Sequence, residues 1–186
     1  MQIQEKTRQE IENKLKTLSD FLKMEYLEEC ARQKIDINIK KFCSQELSKL
    51  YEARKMFPEA AKNMSSVAEM SSTYKDKMQA FIAETCLWIK AGNYEIADEA
   101  FQKALACGNT KEKQEIKNEI IGFYKKQAEE FEKINRNSNA LKIYEKLLHL
   151  VEDSEKLEIK RKILPLYTRL GKIHEYTILS QQLGGK

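Results

Sequence analysis

Apolar side chains recur along this chain at steps of three and four residues, in blocks separated by short polar breaks. Ile11, Leu15, Leu18 and Leu22 open the pattern. Such spacing puts the apolar positions of each block on one face of a helix. Together with the capping residues at the block ends, it predicts helices near 2–34, 36–54, 57–70, 74–91, 94–107, 111–134, 138–151, 155–169 and 172–183. Ser19-Asp20 is a point at which the first segment, Gln2 to Lys34, divides in two. Ile35, Ile37 and Ile39 alternate as a strand would. Ile35, Ile39 and Phe42 also keep helical spacing, and no second strand is available to pair, so helix is the reading.

The breaks carry their own chemistry. Pro58 suits a first turn, where its missing N–H costs nothing. Gly92 and Gly108 suit the left-handed conformation that stops a helix. Asn109 with Glu112 has the form of a reciprocal capping pair. Asp153 and Ser154 offer oxygens for the next start. Pro165, inside an otherwise helical block, should kink or split it.

A longer period overlies the helical one. Ala60, Met64 and Val67 are matched by Ala97, Phe101 and Ala104, and again by Ala140, Tyr144 and Leu147. Each set places a small residue, then a large one at plus four and an apolar one at plus seven, on a single face. The alanine lets one helix approach another, and the bulk around it fills the gap. Preceding helices supply that bulk as Tyr51, as Phe81 and Trp88, and as Tyr124 and Phe131, with Ala128 a small contact point between the last two. A single hairpin of this kind leaves one face bare, so hairpins stack. Ala60 and Ala97 stand 37 residues apart, and Ala97 and Ala140 stand 43 apart. The longer interval is expected to lengthen the 111–134 helix.

In Phe81, Trp88, Gly92, Tyr94, Ala97, Phe101 and Ala104 the chain resembles the tetratricopeptide repeat. The resemblance covers 78–109 best, then 45–70 and 120–150. It is weakest over 155–184, where Gly171 fits but Tyr176 holds the small-residue place. The usual unit is about 34 residues. The longer, irregular hairpins look more like the divergent repeats of the soluble NSF attachment proteins and of proteasome-lid or signalosome scaffold subunits. The resemblance implies an all-α, right-handed α-solenoid of about four helical hairpins. It implies a single domain over 1–186, with residues 1–34 as an N-terminal capping helix and hairpins at 36–70, 74–107, 111–151 and 155–183. The alternative for the first helix is pairing with a copy of itself through the Ile11–Leu22 seam.

Composition narrows the function classes. The chain is 41% hydrophobic and 33% charged, with only 6 Gly and 2 Pro, too few turn residues for a sheet protein. No apolar run reaches the roughly 18 residues of a membrane span. The opening MQIQEKTRQEIENK is charged where a signal peptide needs an apolar core, which makes a cytoplasmic location the expectation. The net charge of +4 lies wholly in residues 111–186 and is mild for a nucleic-acid binder. Cys30, Cys43, Cys86 and Cys107 form no CxxC pair and have no His at ligand spacing. They read as reduced, mostly buried thiols, and no metal or cofactor is expected. His149, among LLHLVED, reads as a partly buried structural residue. His174 neighbours Glu175 in sequence but does not face it. Glu129-Glu130 with Glu132 reads as a solvated face. No nucleophile–base constellation or phosphate-binding glycine loop is present, so no catalysis is expected.

The expected activity is therefore protein–protein interaction or scaffolding. In repeats of this kind the first helices line the concave side. By alignment this places Gln79, Ile82, Cys86 and Ile89 there, followed by Lys125, Glu129 and Glu132, then Glu158, Arg161 and Thr168. A short peptide or helix with an apolar anchor and an acidic flank would complement this surface. Clamp-type repeats grip a terminal carboxylate with Lys and Asn. The corresponding places here hold Ile82 and Cys86, so that mode is not expected. The alternative partner is RNA, through Lys125-Lys126 and Lys160-Arg161-Lys162.

Overall fold

The computed structural model describes residues Ile3, Glu5, 7–33 and 35–184. Among them the chain is helical throughout, without strands, in ten helices: α1 (Arg8–Lys16), α2 (Asp20–Arg32), α3 (Ile37–Ala53), α4 (Phe57–Met70), α5 (Tyr74–Ala91), α6 (Tyr94–Cys107), α7 (Thr110–Lys133), α8 (Asn137–Leu150), α9 (Asp153–Arg169) and α10 (Ile173–Gly184). Contacts group them into two compact units, Met1–Ile116 and Lys117–Lys186, with the division inside α7. In the first unit α2 packs on α3, α3 on α4, α4 on α5 and α5 on α6. In the second, α8 packs on α9 and α9 on α10. No helix among the described residues is long and apolar enough to cross a membrane.

The local signals explain most helix ends. Thr7 and Glu10 cap α1 reciprocally. The first segment does divide, with Ser19 at the head of α2; the expected limits Gln2 and Lys34 lie outside the described residues. Asp36 accepts from the Asn38 N–H at 2.8 Å and starts α3, so the Ile37–Ile39 stretch is helix. Pro58 sits in the first turn of α4. Asn109 and Glu112 exchange hydrogen bonds of 2.8 and 3.0 Å at the start of α7.

Three expectations change. Gly108 is extended rather than left-handed, at φ −98° and ψ 154°. Close approach favours glycine there, because a Cβ would stand 3.1 Å from the Glu112 Cβ. The cap of α9 is Glu152, one residue earlier than Asp153, and it forms no side-chain cap bond. Pro165 does not split its helix, since α9 runs through it from Asp153 to Arg169.

One turn recurs four times. After α3, α5, α7 and α9 a residue takes the left-handed conformation: Lys55 (φ 61°), Gly92 (φ 77°), Asn135 (φ 56°) and Gly171 (φ 68°). The following N–H reaches back to an aromatic residue's carbonyl. Met56 donates to Tyr51 at 2.9 Å, Asn93 to Trp88 at 3.0 Å, Arg136 to Phe131 at 2.8 Å and Lys172 to Tyr167 at 2.9 Å. This six-to-one bond satisfies a carbonyl that the helix end leaves free. The small-residue place lies nine positions beyond each aromatic. Ala60, Ala97 and Ala140 are all fully buried there, whereas Tyr176 is 37% exposed. Their companions Val67, Phe101, Ala104, Tyr144 and Leu147 are buried too, with Met64 packed against the Val67–Ala68–Ala80 cluster. At 24 residues α7 exceeds the 18 of α5 by six, matching the longer interval between repeats.

Candidate functional site

The first helix of each hairpin positions the candidate residues. In the unit Met1–Ile116, Lys41 of α3 pairs with Asp76 of α5 at 3.1 Å, and Glu52 pairs with Lys90 at 2.6 Å. Pairing in the same order along both helices means that α3 and α5 run parallel. Beside the first pair lies a cavity of about 230 Å³, lined by Lys41 and Gln45 of α3, Met64 and Val67 of α4, and Asp76, Gln79 and Ala80 of α5. A second cavity of about 330 Å³ shares Lys41 and Gln45 and extends to Arg8 of α1 and to Asn38, Ile39 and Phe42 of α3. The Arg8 guanidinium stacks over the Phe42 ring at 4.5 Å and bonds Glu12 at 2.7 Å, so this wall is ordered by α1.

Gln79 is the one proposed residue that lines this groove, and it is exposed. Ile82 and Cys86 are half-buried further along α5. Ile89 is fully buried and serves core packing. Lys41, Gln45 and Asp76 were not marked in the sequence, and Met64 was marked only as a packing position of the repeat. A signal for two of them exists: Lys41 and Asp76 are opposite charges 35 residues apart, Glu52 and Lys90 are 38 apart, and both separations are close to one repeat.

In the unit Lys117–Lys186 three charged candidates, Lys125, Glu129 and Glu132, are engaged. Lys125 pairs with Glu155, Glu129 accepts from Lys162 at 2.8 Å, and Glu132 accepts from the Tyr144 hydroxyl at 2.6 Å with Arg169 4.0 Å away. The acidic run 129–132 is thus a ladder between α7 and α9 rather than a merely solvated face, although among the described residues the Glu130 side chain meets only Gln127. The hydrogen bond from Lys162 holds the Glu129 carboxyl below its usual range. Burial first, then the Glu132 carboxylate, pushes the Tyr144 phenol far up. Glu158, Arg161 and Thr168 are exposed, and the Thr168 hydroxyl donates to the Leu164 carbonyl at 3.5 Å.

The remaining polar groups have structural settings. His149 is exposed, not partly buried as the sequence suggested, and so is His174. All four cysteines are free; Cys30 and Cys43 are buried, Cys86 and Cys107 half-buried. Hydrogen bonding with Cys43 draws the Cys30 thiol down and pushes the Cys43 thiol far up, and burial adds to the second. Tyr51 donates to Glu28 of α2, and burial followed by this bond pushes its phenol up to about 12. No group of three or more His, Cys, Asp or Glu among the described residues is placed to hold a metal ion. No protein-family model matches the chain, and no curated protein matches it.

Proposed function

We propose that this chain is a tetratricopeptide-like interaction module, a right-handed stack of hairpins that binds a peptide segment of a protein partner without catalysis. The groove between α3 and α5 carries this reading. Its walls present the carboxamides of Gln45 and Gln79, and the adjoining cavity adds that of Asn38; none is hydrogen-bonded through its side chain to another described residue. A carboxamide offers both a donor and an acceptor, as a peptide backbone requires. Met64, Val67 and Ala80 add an apolar floor for a side-chain anchor. The four repeated aromatic turns support the repeat reading. RNA is the weaker reading, because Lys125 and Lys162 of the basic clusters are neutralised by Glu155 and Glu129.

A photo-crosslinking residue placed at Gln45 or Gln79 in the full chain, in cells, tests this. Protein adducts at both sites, retained at raised salt, are the expected result, with few at the exposed control site Glu119. Adducts to RNA, or equal yield at Glu119, would refute it. An RNA contact would also weaken steeply with salt as counterions are released.

A further inference from the structure

A buried carboxyl lies outside this groove and has no part in the docking reading. Glu84 of α5 is 4% exposed, in a helix packed between α4 and α6. Its Oε1 accepts from the Trp88 indole N–H at 3.3 Å. Its Oε2 is buried and finds no hydrogen-bond partner among the described residues. Most buried carboxylates are held by a cation or several N–H donors; one indole N–H is a poor substitute. The groups that face Glu84 are few. Lys103 on α6 eases its charge and Glu69 on α4 opposes it, while the Ser65 hydroxyl of α4 lies near without completing a bond to Oε2. Lys103 is exposed, and its ammonium sits 5.9 Å from the centre of the Phe81 ring. Among the described residues no direct ion pair therefore holds the site.

We propose that Glu84 makes the α4–α5–α6 junction pH-responsive: as a neutral acid it lets the three helices close, and on ionising as pH rises it loosens them. The neutral form asks less of a dry site than a carboxylate, and its O–H is a donor for which the neighbouring Ser65 oxygen is an acceptor. Burial, the largest influence, raises the acid above its ordinary value of 4.5. A group raised by folding favours the fold fully below its unfolded value. That support is lost as pH climbs through the folded value, because the native state then binds more protons than the unfolded one. Junction tightness is thus greatest in mild acid and declines toward neutrality, the reverse of the usual acid denaturation.

The chain has a single tryptophan, Trp88, and it is bonded to the group in question. Its emission therefore reads the titration directly. Fluorescence of the full chain between about pH 4 and 8, with hydrogen exchange corrected for intrinsic rates, tests the proposal. The expected result is one emission transition with its midpoint above 4.5 and a fall in protection across α4–α6. Protection should fall about tenfold for each pH unit between unfolded and folded values, and α10 should not follow. Glu84→Gln should abolish both changes. A flat wild-type profile, or a transition that survives Glu84→Gln, overturns the proposal. Should that variant fail to fold, Lys103→Gln at the exposed cation decides the matter. Loss of this easing positive charge should move the midpoint higher, and a midpoint that stays or falls overturns the proposal.

Discussion

The first helices of successive hairpins are tied together in both units, but the ties are spaced differently. Between α3 and α5 the pairs stand far apart, Lys41 with Asp76 and Glu52 with Lys90, and a groove lies beside the first. Between α7 and α9 three pairs follow at nearly successive turns, through Lys125, Glu129 and Glu132. Both faces are rich in charge. Beside the pairs of the first lie the amides of Gln45 and Gln79, bonded through their side chains to no other described residue, whereas Lys125, Glu129 and Glu132 on the second are all taken up. A charged face whose charges are reciprocated on the next helix already has its partner within the chain.

The largest expected effect tests whether the turns of the two units are equivalent. Trp88→Ala and Phe131→Ala remove the aromatic at corresponding places, each at most 9% exposed. Each should destabilise by about 3–5 kcal/mol in urea unfolding. A loss under about 1 kcal/mol at either site would show that its turn does not anchor its hairpin.

The left-handed positions should respond less, and in opposite directions. Gly92→Ala forces a Cβ into φ 77° and should cost about 1–2 kcal/mol. Lys55→Gly should stabilise by up to about 1 kcal/mol, because relief of strain outweighs the added unfolded-state freedom. Asn135→Gly should gain less, since asparagine tolerates this conformation better than lysine. Thermal unfolding of the three variants checks the order, and a gain from Gly92→Ala would contradict it.

The ion pairs themselves, one from each unit, should yield the smallest changes. Lys162→Gln and Lys90→Gln break half-exposed pairs and should each cost about 0–1 kcal/mol, less at high salt. Lys162→Gln should also return the Glu129 carboxyl upward from its lowered value, visible in an NMR titration of its side chain. Because that group is depressed in the fold, its contribution is present above the ordinary 4.5 and fades as pH falls through the folded value. No movement on removing Lys162 would mean that the pair does not persist in solution.

The helices were legible because their signals are local: apolar spacing, Asp36, Pro58, Gly92 and the Asn109–Glu112 exchange all act within a few residues. Gly108 misled because two physical needs select glycine, positive φ and close approach, and only the second applies there. His149 misled because its apolar neighbours in sequence sit on other faces of α8. Ile89 was assigned to a surface by alignment alone, and no local cue marks which edge of α5 turns inward. The groove escaped for a related reason. Lys41, Met64 and Asp76 meet only after three helices pack, and a single sequence carries little trace of that meeting. The repeat spacing of opposite charges is the one trace present.

The four turns share one elbow while the arms between them differ in length. Tyr51, Trp88, Phe131 and Tyr167 follow one another at intervals of 37, 43 and 36 residues, yet each is followed by the same backbone bond. Additional residues are taken up along the shaft of α7, away from the joint, so the hinge geometry tolerates insertions that would defeat any template of fixed length. The likeness is held in torsion angles and one carbonyl, with lysine, asparagine or glycine at the bend, and asks little of the letters around it.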